Sequence, residues 1–350
     1  MADSKRKMPL EDKNTAGFDI KLVTIRSRLK NYSKSPKPVQ PPALVSPVYP
    51  VLSKLAPYRP INLQGRLKTK TAFQTASLTD FIMQPTLDVI IPCYNAANTL
   101  RAAAESALAQ SVVQTVWLVD DASDDGTPDI MRELAAQYPQ IRCEYLPSNG
   151  GAARARNWGA LQSQADFTAF LDADDAYEVS ALLPAYTALS RFTYLSLVRL
   201  KLRPVGFPNR YLTHPDFNRA WQQLEMTVGG NTVFRRNTLL ACGGFPQDEI
   251  FRTFGGEDAA LGIALTRSSV VGTLFGEQDA AVRHTYRPNI HAERLLELAL
   301  FGISDQKITT KHFQQAEAVT ERICRKLEEL KLQIALEQNG IMPLLTSYAD

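Results

Sequence analysis

From Leu87 onward the chain alternates short apolar, β-branched runs with longer stretches of helix-forming residues. The run "LDVIIP" has the make-up of a buried parallel strand. "NTLRAAAESALAQ" follows, with helix formers behind a capping residue, Asn98 or Thr99. "TVWLVDDAS" predicts a second strand ending in polar residues. "DGTPDIMRELAAQY" predicts a second helix, with Pro128 acceptable near its first turn. "IRCEYLP", "GGAARARNWGALQSQ" and "DFTAFLDADD" continue as strand, helix and strand. Such alternation at short spacing predicts an α/β layer with a mostly parallel sheet. Past Asp175 the pattern loosens. "TYLSLVRLKLRPVGF" reads as a strand or β-ribbon, "NTVFRRNTLLACGGF" as strand, helix and turn, "EDAALGIALTRS" as helix and "VVGTLFGEQDAAVRHTY" as strand-like. "HAERLLELALFGI" and "QQAEAVTERICRKLEELKLQIALEQNG" read as amphipathic helices, the second closing at Asn339-Gly340.

The residues before Leu87 read differently. "SKSPKPVQPPALVSPVYPVLSKLAPYRP" is proline-rich, which blocks helix and sheet ladders and favours extended chain. Residues 1–85 carry 15 Lys and Arg against 5 Asp and Glu, so the net charge of +3 hides a basic leader ahead of an acidic body. The leader reads as a solvated tether, or as a segment that docks on an anionic membrane, with a short helix near "FDIKLVTIRSRLKNY". With 350 residues, 45% of them hydrophobic, the chain has room for one large domain or two small ones. Cys93, Cys143, Cys242 and Cys324 are widely spaced and read as free thiols of a reducing compartment. No stretch reaches the roughly 20 apolar residues that span a bilayer, and the first residues lack a signal-peptide core. The expectation is a cytoplasmic protein, at most touching the inner face of the membrane through its leader, with no nucleic-acid partner.

Each of the four strands from Leu87 ends in a polar cluster: "PCYN", "DDAS", "SNGGAARARN" and "DADD". In parallel α/β sheets ligands bind beyond the carboxyl ends of the strands, so the four clusters predict a single site. The turn "PCYNAANT" holds no glycine, which argues against a dinucleotide fingerprint, and no phosphate-loop motif occurs. Asp172, Asp174 and Asp175 crowd three carboxylates into four positions, a poor arrangement for stability alone. Arg154 and Arg156 sit at a predicted helix N-terminus, where planar guanidinium forks and backbone amides suit phosphate.

As a set, "VIIPCYNAANTLRAAAESALAQS", "WLVDDASDDGT", "NGGAARARNWGA" and "AFLDADD" closely resemble the inverting family 2 glycosyltransferases, which have the GT-A fold. The resemblance runs from about Leu87 to Asp175 and returns at "GGNTVFRRNTLLACGGFPQDE" and "GGEDAALGIAL". It implies a Rossmann-like mixed sheet flanked by helices over residues 86–290, a C-terminal helical extension over 291–350, and a nucleotide-sugar donor. Pro92, Tyr94 and Asn95 would line the nucleotide, with Tyr94 stacking on the base and Asp121 accepting its ring N–H. Arg156 would face the diphosphate and Asp172 the ribose. Asp174, or else Asp175, would ligate a divalent Mn or Mg ion, a hard cation that takes carboxylates, phosphates and water. His284 sits where some relatives place a metal or diphosphate contact, with His291 competing for that role. Asp258 would be the general base on the acceptor hydroxyl, with Glu257 second. Gly229, Gly230 and Asn231 would contact the donor sugar. Tyr286 and Arg287 resemble another common family element. No Q-x-x-R-W element of processive synthases occurs, which points to single-sugar addition, as in polysaccharide biosynthesis. The acceptor stays open among glycan, lipid and protein. Two other readings also stay open: a nucleotidyltransferase of related architecture, and a catalytically silent nucleotide-sugar-binding or scaffold protein.

Overall fold

A computed structural model describes residues 84–288, 290–304, 307–334 and 339–344; the basic leader lies outside the described residues. The alternation read from the sequence is laid out as β1 (Leu87–Cys93), α1 (Leu100–Leu108), β2 (Thr115–Asp120), α2 (Thr127–Gln137), β3 (Ile141–Tyr145), α3 (Ala152–Gln162) and β4 (Phe167–Phe170). Then come β5 (Ala176–Tyr177), α4 (Leu182–Arg191), β6 (Leu195–Arg199), β7 (Lys201–Val205), α5 (Asn209–Leu212), α6 (Phe217–Glu225), β8 (Thr232–Arg235) and α7 (Arg236–Ala241). The last part holds α8 (Glu249–Phe254), α9 (Glu257–Ser268), β9 (Val270–Thr273), β10 (Ala281–Thr285), α10 (His291–Phe301), α11 (Thr310–Ile334) and β11 (Gly340–Pro343). Among the described residues no helix is long and apolar enough to cross a membrane.

Eight strands form one sheet in the order β11-β9-β6-β8-β4-β1-β2-β3. All neighbours pair parallel except β8, which runs against β4 and β6. This is the mixed α/β sheet with flanking helices expected from the sequence. The chain walks outward from β1 to β3 and returns to β4 on the other side of β1, so the order reverses between β1 and β4. A reversal of this kind opens a crevice at the carboxyl ends of the two strands. Strand β1 is buried on both faces: Leu87, Val89 and Ile91 pack into one core cluster, Ile90 into another with Val119 and Phe170. Its one charged residue, Asp88, is buried but accepts from Trp117 Nε1 (3.0 Å) and Ser163 Oγ (2.7 Å).

A three-stranded sheet, β5-β10-β7, stands beside the first. Its existence corrects the ribbon expected over "TYLSLVRLKLRPVGF". After β6 the Leu200 N–H goes to Asn231 O and the Lys201 N–H to Ala280 O, so the chain leaves one sheet for the other within two residues. The antiparallel register of β5 and β10 pairs Ala176 with Arg283. One step further along, that register sets Asp175 opposite His284. The segment 291–350, expected to be helical, contains two helices and also β11, which pairs with β9 at the sheet edge. Gly340, expected to end a helix, begins that strand.

Candidate active site

Helix α3 delivers Arg156 to the crevice because it packs unusually close to the sheet. A Cβ on Gly159 would lie 2.6 Å from Ile90 Cγ2, so only glycine lets the helix sit this near β1. Arg156, one turn earlier, is then 4% exposed at the strand ends. Its Nη2 donates to Asp172 Oδ1 at 2.7 Å and its Nη1 to Glu257 Oε1 at 3.2 Å. Its guanidinium also lies 5.2 Å from the Phe245 ring centroid. Burial opposes its charge, but Asp172, Glu257 and Asp258 outweigh burial and raise its pKa. Burial likewise works against the Asp172 carboxylate, and Arg156 overcomes it and holds the pKa low.

Two clefts meet at this arginine. One, of about 450 Å³, is lined by Pro92, Tyr94 and Asn95 from the end of β1 and by Asp172 and Asp174 beyond β4. Tyr94 is 51% exposed there, an available stacking surface. Asn95 takes a left-handed conformation, φ 49°, which asparagine tolerates; its Oδ1 accepts from Asp124 N–H and its own N–H donates to Ser123 Oγ. The other cleft, of about 220 Å³, is lined by Glu257, Asp258, His284 and His291. Arg156, Asp172, Asp174 and Arg287 line both clefts.

Glu257 and Asp258 open α9 behind Gly255 and Gly256, both at positive φ (73° and 96°). Asp258 Oδ2 accepts from Gly229 N–H at 2.8 Å and Oδ1 from Ala259 N–H at 2.9 Å. Burial, then the neighbouring Asp258, pushes the Glu257 carboxyl up to about 7 against the pull of Arg156. Burial, then Asp175 and Asp172, pushes Asp174 up to about 6, although Arg287 pairs with it.

Asp175 points elsewhere. Its Oδ2 meets His284 Nδ1 at 2.7 Å and its Oδ1 accepts the Thr285 N–H at 2.9 Å. It is 2% exposed and lines neither cleft. Burial works against a charged His284 ring, but the Asp175 hydrogen bond outweighs it and raises the pKa; in the neutral ring with Nδ1–H on Asp175, Nε2 carries the lone pair, and that buried atom has no hydrogen-bond partner among the described residues. A carboxylate behind a histidine is the usual arrangement for orienting a metal-binding imidazole. Asp174 and His284 line the same cleft, and a carboxylate oxygen with an imidazole nitrogen would suit a divalent cation completed by phosphate oxygens and water. Among the described residues no three His, Cys, Asp or Glu side chains are placed to hold an ion unaided.

Other residues singled out in the sequence brace the site instead of lining it. Asp121 is 1% exposed, and its two oxygens accept the Gly150 and Gly151 N–H groups at 2.6–3.0 Å. Burial raises its pKa despite those bonds. Arg154 folds back onto Ser148. Asn157 exchanges two 2.8 Å bonds with the Phe245 backbone and so ties α3 to the "GGF" turn. Asn231 is fully buried and donates to Leu200 O and Glu225 O. Arg199 escaped the sequence reading. Its buried Nη1 donates to Val228 O (2.9 Å) and Glu225 O (3.3 Å), holding the loop that carries Gly229. A lone arginine in an apolar strand was the only available signal.

Residues 88–245 match the family "Glycosyl transferase family 2". A putative teichuronic acid biosynthesis glycosyltransferase, TuaG, of Bacillus subtilis (strain 168) is 38% identical over 102 residues, 28% of this chain and 40% of that protein. The minor teichoic acid biosynthesis protein GgaA of the same organism is 36% identical over 170 residues, 44% of this chain and 38% of that protein. The chain thus matches two fifths or less of these relatives' length. Among solved structures, a Pyrobaculum calidifontis mannosyltransferase in complex with GDP-Man and Mn2+ aligns at TM-score 0.48 and 22% identity, covering 73% of this chain and 77% of that one. Staphylococcus aureus TarS in complex with UDP aligns at TM-score 0.44 and 18% identity, covering 71% and 72%.

Proposed function

We propose, from the match of residues 88–245 to glycosyl transferase family 2, that the chain moves one sugar at a time from a uridine diphosphate sugar donor to an acceptor hydroxyl, with inversion. The observation that carries this reading is the junction of the two clefts at Arg156, Asp172, Asp174 and Arg287. An in-line displacement needs the leaving group on one side of the anomeric carbon and the base on the other. The clefts supply those two sides, with the charged residues between them.

On the donor side Tyr94 stacks on the base and Asp172 Oδ2 takes a ribose hydroxyl, while Oδ1 stays with Arg156. Asp174 and His284 would hold the divalent cation, which when bound neutralises the departing diphosphate. Asp175 fixes the His284 ring. Arg287, 61% exposed, can swing from Asp174 to the diphosphate oxygens. On the acceptor side Asp258 takes the hydroxyl proton, oriented by the Gly229 N–H. Glu257 keeps Arg156 in place from the other flank. The teichuronic and teichoic acid relatives suggest surface polysaccharide synthesis as the setting.

The test is a thermal-shift screen of UDP, GDP and CDP with and without Mn²⁺, followed by nucleotide-sugar hydrolysis with purified protein. UDP with Mn²⁺ is expected to raise the melting temperature most. Silence to all three nucleotides would leave a scaffold as the better reading.

A further inference from the structure

Behind the acceptor cleft, α8, α9, α10 and α11 surround a second cavity of about 150 Å³. Its walls are Ile250, Phe251 and Phe254 of α8, Ile263 of α9, Leu295 of α10 and Phe313 of α11. The polar groups that reach it are engaged with each other or with the backbone. Glu317 accepts from Arg267 at 2.7 Å, Thr320 Oγ1 donates to Ala316 O at 3.1 Å, Thr227 Oγ1 donates to Leu224 O at 2.9 Å, and His312 Nδ1 accepts from the Thr309 N–H at 3.1 Å. His291 is different: its buried Nε2 has no partner among the described residues. His291, Gly255 and Gly256 line this cavity and the acceptor cleft alike. The apolar space and the base-bearing end of the site therefore share a rim of two glycines and one imidazole.

An apolar pocket of roughly this volume can seat a benzene-sized molecule. We propose that the acceptor carries an apolar group, alkyl or aryl and about six carbons deep, that seats in this cavity, with His291 Nε2 hydrogen-bonding the polar atom where that group joins the rest of the acceptor. This rests on the transferase reading, and it narrows the acceptor from any hydroxyl to an amphiphilic one. Continuity with the acceptor cleft selects the occupant: a group seated here is attached to whatever Asp258 deprotonates.

The test uses the full chain saturated with UDP and Mn²⁺, titrated in a calorimeter with 1-butanol, 1-pentanol, 1-hexanol and 1-octanol as probes. Affinity is expected to rise about fourfold per methylene up to six carbons and then level off. Ala316→Phe, which fills the cavity from α11, should abolish the rise while keeping UDP affinity and melting temperature. Ile263→Phe fills it from α9 if the first variant does not fold. UDP binding with a flat alkanol series, or with the same rise in a folded filled variant, overturns the cavity proposal alone. Failure to bind any nucleotide overturns the transferase reading, and the role given to the cavity with it.

Discussion

Asp258 is held from two sides before an acceptor arrives, by the Gly229 and Ala259 N–H groups. Asp258→Asn should lower kcat/KM by about 10³, in the range of a lost general base, while UDP affinity measured by calorimetry stays within about twofold. Glu257 predicts a pH dependence of stability. Its folded pKa of about 7 lies above an unfolded value of roughly 4.3, so the native state binds more protons between those limits. Stability is therefore expected to fall as pH rises from about 4 to 7. The groups facing Glu257 are Asp258, Arg156 and Asp172. Glu257→Gln should flatten that slope in urea melts across the window. Asp121→Asn sets an amide against the Gly150 and Gly151 N–H groups and should cost about 1–3 kcal/mol. If Asp121 serves that loop, the preference for UDP over CDP will not change in the variant; a changed preference would put Asp121 at the base edge. The crowding of carboxylates at 172–175 is legible in the sequence, but their division of labour is not. Asp172 is assigned by Arg156, and Asp175 by His284, 109 positions away. No local pattern encodes such a pairing.

At the scale of elements, the start of α9 decides where Asp258, the proposed base, stands. Gly256 caps the helix in a left-handed conformation, φ 96° and ψ 10°. Gly256→Ala should cost about 1–2 kcal/mol and, by tilting the first turn, reduce transfer more than nucleotide binding; paired melts and steady-state rates check both. Strand β6 contributes less visibly. Arg199 donates to backbone carbonyls on either side of the 225–228 turn, and its removal takes the donor from buried Val228 O, while Glu225 O keeps only Asn231. Arg199→Met should destabilise by about 2–3 kcal/mol and loosen Gly229. The alternating elements through β4 were readable because each is a short, strongly patterned block between turn residues. Helix α4 has no counterpart in the sequence reading; its Pro184 falls in the first turn, where proline is tolerated. The split of β6 from β7 was not readable at all. Both are ordinary strand sequence, and what separates them is the competing partners Asn231 and Ala280, far along the chain.

Across the whole molecule, the site is assembled from segments between Pro92 and Ala292, and the small sheet supplies His284, the proposed partner of Asp174 for a cation. Excess EDTA is expected to lower turnover by at least about a hundredfold and Mn²⁺ to restore it; full activity in chelator would remove the cation from the reaction. The four polar strand ends made a candidate site legible in the sequence, since one topology brings them to one sheet edge. The acceptor half lay beyond such reading, because it is built where the alternation loosens and helices α8 to α11 pack by shape. Strand β11 has a consequence of another kind. It pairs along β9, which would otherwise be the last strand of the sheet on that side, with its backbone donors and acceptors open to any passing strand. Four residues ending in Pro343 close that side with a proline that cannot donate to a further neighbour. Strand β11 thus shields that edge of β9 from pairing with another copy. Removing residues 339–344 should make the apparent mass measured by light scattering rise with concentration.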